Sequence, residues 1–299
     1  MKTKIVLVCV MFLSISAALC FASDQKTFAT PDEAVKALMA AVESNSQDEL
    51  LAVFGPDAKD LVSSGDDVQD RNSRAAFVKS YKAKHAIIAE DPNTRVLQVG
   101  AKDWELPIPI VLADGRWHFD TAAGKQEIIY RRIGNNELGA IAVCRGTVAA
   151  QRDYAAEGHD GLPAGIYAGK LRSDPGKHNG LYWEAADGEP ASPAGPFLAQ
   201  AAEEGYQKGD PYHGYYYRGL KAQGASAPGG AKSYLVDGVL KGGAALIAYP
   251  AQYKVSGVMT FIIDQDGIVY QKDLGESTAE AAKAITEYNP DSSWAKVAD

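Results

Sequence analysis

From residue 27 onward, apolar positions recur first with a helical period and later in alternation. In "TFATPDEAVKALMAAVES" the residues Ala34, Val35, Leu38, Met39 and Val42 return every three or four positions, which makes one face of a helix apolar. Thr30 stands before Pro31, and Glu33 follows three residues later, the pattern of a capped helix start. "SQDELLAVFGP" repeats the device with Ser46 and Glu49, puts Leu50, Leu51 and Phe54 on the apolar side, and stops at Gly55-Pro56. A third helix is expected over 73–84, with Phe77, Val78 and Tyr81 inward. The period then shortens. "RVLQV" (95–99) and "LPIPIVL" (106–112) read as strands, Asp114-Gly115 as a hairpin turn, and "RWHF" (116–119) as the return strand with Trp117 and Phe119 toward the helices.

Beyond 120, "TAAGKQEIIYRRIG" is helical up to a break predicted at Gly134-Asn135. A long helix over 136–158 follows. It places Leu138, Ile141, Ala142, Cys144, Val148, Ala149 and Ala155 on one side, with Arg145 and Arg152 in the same sector. A buried arginine must be paired, so a carboxylate or several carbonyls are expected there. The stretch from about 159 to 230 is rich in Gly, Pro and Tyr, with one short helix at 196–206. A segment of that length is expected to wrap and pack on a neighbour. Strands follow at 214–223, 244–250, 257–264 and 267–274, and a last helix over 277–288 starts at Ser277. The fold class is therefore α+β in two units. Residues 23–134 form helices with a small curved sheet, and 135–299 form a long helix on an antiparallel sheet, with the Gly/Pro/Tyr-rich insertion between.

The chain opens with Lys2 and Lys4, an apolar run from Ile5 to Leu19, and Cys20-Phe21-Ala22. This predicts a cleavable signal peptide over 1–22, too short for a membrane span, and export to the periplasm or the cell exterior. Lipid attachment at Cys20 is the alternative; Leu19, a large residue just before the cysteine, disfavours it. Of three cysteines, Cys9 and Cys20 fall in the signal, so Cys144 has no partner for an intramolecular disulfide. The formal charge is −8, and no block of lysine or arginine occurs, which argues against nucleic acid or an anionic lipid surface as partner.

Tyr206, Tyr212, His213, Tyr215, Tyr216 and Tyr217 crowd a short span, with Trp183 upstream. Trp183, Tyr212, His213, Tyr215 and Tyr217 are the candidate platform for a glycan, a peptide or an envelope protein; packing of the loop onto the sheet is the competing use. A pocket lined by Tyr81, Trp104, His118 and Asp120 in the first unit is the alternative site, and would suit a hydrolase or isomerase. Five scattered histidines show no zinc spacing, Cys144 reads as an inert buried thiol, and no nucleotide or cofactor fingerprint occurs. Asp264 and Asp266 before Gly267 lack the ligand series of a calcium loop and read as a strand corner. A non-enzymatic binding module follows as the first reading, with neither metal nor cofactor.

"FDTAAGKQEIIYRRIGNNELGAI", "SDPGKHNGLYWEAADGEPASPAGP", "PYHGYYYRGLKAQG" and "GVMTFIIDQDGIVYQKDLG" strongly resemble domain-of-unknown-function family 2950. That resemblance implies a secreted or envelope protein and transfers no catalytic residue. The helix "NELGAIAVCRGTVAAQRDYA" followed by a Tyr-rich loop and sheet is similar to type IV pilin and pseudopilin headgroups, which implies a helix-on-sheet scaffold and, as a further alternative, a pilus-like assembly. That resemblance also keeps a cation at the Asp264–Asp266 loop as an expectation. "TPDEAVKALMAAV", "AVFGPDA" and "GRWHFD" resemble the cone-shaped nuclear-transport-factor-2-like superfamily.

Overall fold

A computed structural model describes residues 25–186 and 188–298. The expected signal peptide and Cys20 lie outside the described residues. The first unit holds α1 (Pro31–Ser44), α2 (Gln47–Phe54), α3 (Lys59–Val62) and α4 (Asp67–Ala83). Strands β1 (His85–Asp91), β2 (Thr94–Val99), β3 (Trp104–Glu105), β4 (Ile110–Ala113) and β5 (Arg116–Phe119) follow. The sheet is antiparallel in the order β1-β2-β4-β5, with β3 on β2. Trp117 and Phe119 face inward and join Val35, Leu38, Val53 and Phe54 in one core, as the alternation predicts. Both helix starts use the expected residues: Thr30 Oγ1 accepts from Glu33 N at 3.2 Å, and Ser46 Oγ from Glu49 N at 3.3 Å.

The largest departure from the sequence reading is α5 (Thr121–Ala156), a single helix of 36 residues that runs through Gly134-Asn135 without a break. A mid-helix glycine costs about 1 kcal/mol, and here its neighbours outweigh that. Arg132 donates to the carbonyls of Asp60 and Leu61 at 2.8 and 2.6 Å, Ile133 is buried, and Asn136 is fixed on both sides. Its buried line runs Ile129, Ile133, Asn136, Ala140, Cys144, Val148, Tyr154. Leu138 is 69% exposed, and Ala142 and Ala149 face solvent, because the helix turns a narrower stripe to the sheet than the sequence sector suggested. A Cβ at Gly134 would meet nothing within 4 Å. Gly134→Ala is therefore expected to stabilise the chain by about 0.5–1 kcal/mol in urea unfolding; a loss would mean that the helix is interrupted there.

The second unit contains α6 (Gly195–Glu204), β6 (Tyr215–Leu220), the short ribbons β7 (Ala222–Gln223), β8 (Lys232–Ser233), β9 (Leu235–Val236) and β10 (Val239–Leu240), then β11 (Ala245–Pro250), β12 (Met259–Asp264), β13 (Tyr270–Asp273), α7 (Thr278–Ala284) and β14 (Ala295–Lys296). The main sheet, β14-β13-β12-β11-β6, is antiparallel throughout. One face packs Tyr215, Ala248, Phe261 and Ile263 against Ala140, Cys144 and Val148 of α5. The other packs Leu220, Ile247 and Ile262 against Ala282, Tyr234 and Tyr288. Ser277 makes no cap. The last helix ends earlier than expected, at Ala284, and Arg218 Nη2 caps that end by donating to the carbonyls of Ala282 and Ile285 at 2.8 and 2.7 Å.

Two clamps fix α5 along β12. Glu137 Oε1 accepts from the backbone N–H groups of Val258 and Met259, each at 2.9 Å, and Arg152 donates to the Gln265 carbonyl at 3.0 and 2.7 Å. Fifteen residues of helix rise about 22 Å, and seven of strand about 23 Å, so the clamps fall in register. Arg152 is thus exposed and meets a single carbonyl rather than sitting buried. The 159–230 insertion wraps as expected: Ala168, Leu181 and Ala194 pack on Ala150 and Tyr154 of α5.

Candidate functional site

Tyr212 and Tyr215 close a two-residue hairpin. Tyr212 N donates to Tyr215 O at 2.8 Å, and Tyr215 N to Tyr212 O at 3.2 Å. The two residues at its tip, His213 and Gly214, have φ of +50° and +76°, the paired positive values of a type I′ turn. Gly214 is obligatory, since a Cβ there would lie 2.4 Å from Asn136 Nδ2. The turn thrusts His213 out between two tyrosines. Its ring meets Tyr212 edge to face at 4.2 Å and lies near-parallel to Tyr206 at 6.0 Å. His213 Nε2 sits 3.1 Å from Glu204 Oε2. Glu204 is delivered by α6, which ends there because Gly205 turns left-handed, and Asn72 of α4 holds the Glu204 carbonyl at 3.0 Å.

Beneath this tip lies Asp66, the N-cap of α4, with no exposed surface. Its Oδ1 accepts from Gln69 N at 2.9 Å; its Oδ2 accepts from Gly214 N at 2.8 Å and from the Tyr206 hydroxyl at 3.1 Å. Burial pushes the Asp66 carboxyl above its ordinary 3.8, against the pull of those three donors. Burial, and then the Asp66 charge, holds the Tyr206 phenol far up as a donor, while burial and Glu204 push Tyr212 up to about 12. Gln69 Nε2 donates to Asn136 Oδ1 at 2.7 Å, and Asn136 Nδ2 to Ser256 O at 2.9 Å. One polar chain therefore joins α4, α5, the hairpin and the loop before β12. Asp66 followed by Gln69 is a cap signature legible in the sequence, but its partners 140 and 148 residues away are not.

The five platform residues separate. Tyr212 and His213 stay together at the tip. Tyr215 is 0% exposed, its hydroxyl donating to Met259 O at 2.9 Å, so it offers no surface to a ligand. Tyr217 lies on the same strand face and packs into the same core, its hydroxyl donating to Tyr212 O at 3.3 Å. Trp183 stands elsewhere, stacked on His178 at 4.4 Å with His159 tilted at 5.6 Å.

The alternative pocket also dissolves. A cleft does open in the first unit, but only Tyr81 of the four residues lines it. Trp104 sits on β3 edge-on to Phe77 at 6.3 Å, and His118 takes the face of β5 opposite Trp117. Asp120 is occupied as the N-cap of α5, accepting from Ala123 N at 3.2 Å. At the other corner, Asp264 Oδ1 accepts from Asp266 N at 3.1 Å, and Gly267, at φ +86°, donates to Asp264 O at 3.0 Å. That is a side-chain-braced turn. Among the described residues no group of three or more His, Cys, Asp or Glu could hold a metal, and no helix is long and apolar enough to cross a membrane.

A family model described as "Protein of unknown function (DUF2950)" matches residues 25–297, nearly all of the chain. The chain belongs to that family. No curated protein and no solved structure matches it. In this DUF2950 chain the matched span covers both units and the helix between them, so the junction that carries Asp66, Tyr206 and His213 lies within the family's own unit.

Proposed function

We propose that this DUF2950 chain is an exported, non-catalytic binding module, and that the hairpin tip at Tyr212–His213, flanked by Tyr206 and Glu204, receives a neutral or amino-bearing glycan of the cell envelope. One observation carries the reading: an aromatic tip held half-open to solvent by a turn of two left-handed residues, with a carboxylate 3.1 Å from the imidazole. A non-glycine residue in the left-handed region costs free energy and persists where the surroundings enforce it. Here Asp66 enforces it from below by holding Gly214 N. Aromatic rings take the apolar face of a sugar, and a carboxylate beside an imidazole takes its hydroxyls. The net charge of −8 turns away anionic polymers and favours neutral or amino sugars.

Calorimetric titration with chitooligosaccharides and with their de-N-acetylated, amino-bearing forms tests this. Tyr212→Ala is expected to weaken binding about tenfold, roughly 1.4 kcal/mol, and His213→Asn, which keeps a residue tolerant of positive φ, should weaken it by a similar amount. Binding unchanged in both variants, or absent in the parent, overturns the assignment. Export by the segment over 1–22 predicts a mature chain that starts near Ser23; N-terminal sequencing of the exported protein reads this, and a lipid-bearing Cys20 contradicts it.

A further inference from the structure

The cleft in the first unit shares no lining residue with the hairpin tip and has a different character. It measures about 540 Å³, within the usual range of about 300–1,000 Å³ for small-molecule sites. Polar atoms make up most of its lining; the half-buried Ile87 and the buried Val35 and Trp117 are its larger apolar members. Its lining carries both signs of charge, Arg95 and Asp32. The Arg95 guanidinium lies 5.0 Å over the Trp117 ring. Arg95 Nη1 is bound to the carbonyls of Asp91 and Thr94 at 2.7 and 2.8 Å, which fixes the head and leaves Nη2 and Nε as further donors. Asp32 stands exposed in the first turn of α1, close enough to Tyr81 that its charge helps hold the phenol protonated, second to burial. His85, also in the lining, stacks on Tyr81 at 3.9 Å with only 13° between the rings. Its Nδ1 lies 3.0 Å from the Tyr81 carbonyl, which can only accept, so Nδ1 carries the proton and Nε2 of the neutral ring is left as an acceptor.

We infer that this cleft binds a short peptide with both termini free, its carboxylate on Arg95, its ammonium on Asp32, its peptide N–H on His85 Nε2 and an apolar side chain against the half-buried Ile87. A fixed, partly desolvated guanidinium suits a carboxylate better than a mobile lysine would. A single anion would be opposed by Asp32, and a single cation by Arg95, so a zwitterion is the ligand class that both charges favour.

The test is calorimetry on the full chain with leucyl-leucine, its N-acetyl derivative and its C-terminal amide. Leucyl-leucine is expected to bind, and each blocked form to bind at least tenfold more weakly. Asp32→Asn should abolish the preference over the N-acetyl form only, and Arg95→Gln the preference over the amide only. Thermal unfolding of each variant near the parent's midpoint shows that the fold is intact; Arg95→Lys, which keeps the charge and loses the fork, serves where Arg95→Gln does not fold. No binding of leucyl-leucine at millimolar concentration, or discrimination that survives both substitutions, overturns the inference. Tyr212→Ala should leave these titrations unchanged, so failure here and failure at the hairpin tip are read separately.

Discussion

Replacing Asp66 with alanine is expected to cost about 2–4 kcal/mol, read from the urea midpoint with the slope unchanged. The cap of α4 is lost, worth about 1 kcal/mol. Two further donors, Gly214 N and the Tyr206 hydroxyl, lose their acceptor in a buried place, and an unsatisfied buried donor costs about 1–3 kcal/mol. The effect should reach the hairpin, because Gly214 N no longer holds the turn that presents His213. The pH dependence has a definite sign. Asp66 has its folded value raised above 3.8, chiefly by burial, so the folded chain binds that proton more tightly than the unfolded chain. The advantage of the parent over Asp66→Asn should be largest near and below 3.8, shrink as pH rises through the raised folded value, and then stay level. Urea midpoints of both proteins from acidic to neutral pH read this, and a gap that widens with rising pH contradicts it.

Gly124→Ala should destabilise by about 3 kcal/mol although alanine is the better helix former. A Cβ at 124 would lie 2.2 Å from the Pro107 carbonyl oxygen, 2.4 Å from its carbon and 2.6 Å from Ile108 N. All three are backbone atoms of the segment that leads into β4, so no rotamer change relieves the overlap. The helix preference is worth about 1 kcal/mol in the other direction and loses to the overlap. The contrast with Gly134→Ala, expected to stabilise, sets two glycines of one helix against each other. Thermal unfolding of the pair shows whether packing or propensity governs each position.

Much of the fold is legible because it is local. The starts of α1 and α2 follow from Thr30 and Ser46, and β11 and β12 from short β-rich runs. What is not legible is what distant residues decide. The break expected at Gly134 is overridden by Arg132 and Asn136, whose partners lie 67 to 120 residues away. Strand β1 escapes because an exposed edge strand carries little alternation. In the site, the Tyr and His positions of the cluster are plain in the sequence, yet only the turn at His213-Gly214 divides Tyr212 at the surface from Tyr215 in the core. Glu204 looks like one of two adjacent surface acids until α6 is seated on α5, where the Phe197 ring fills the space that a Cβ at Gly146 would need.

Helix α5 is one rod shared by both cores. Spin labels at Tyr130→Cys and Ala149→Cys, with Cys9 and Cys20 changed to serine, test it; both sites are exposed, while Cys144 is buried with its thiol pushed up to about 12 and does not compete for label. A continuous helix separates them by nineteen residue steps, about 28 Å from Cα to Cα, and predicts one narrow distance distribution centred near that value plus the label arms. A broad or two-peaked distribution, or one centred well below it, would show a joint at Gly134 and contradict the shared rod.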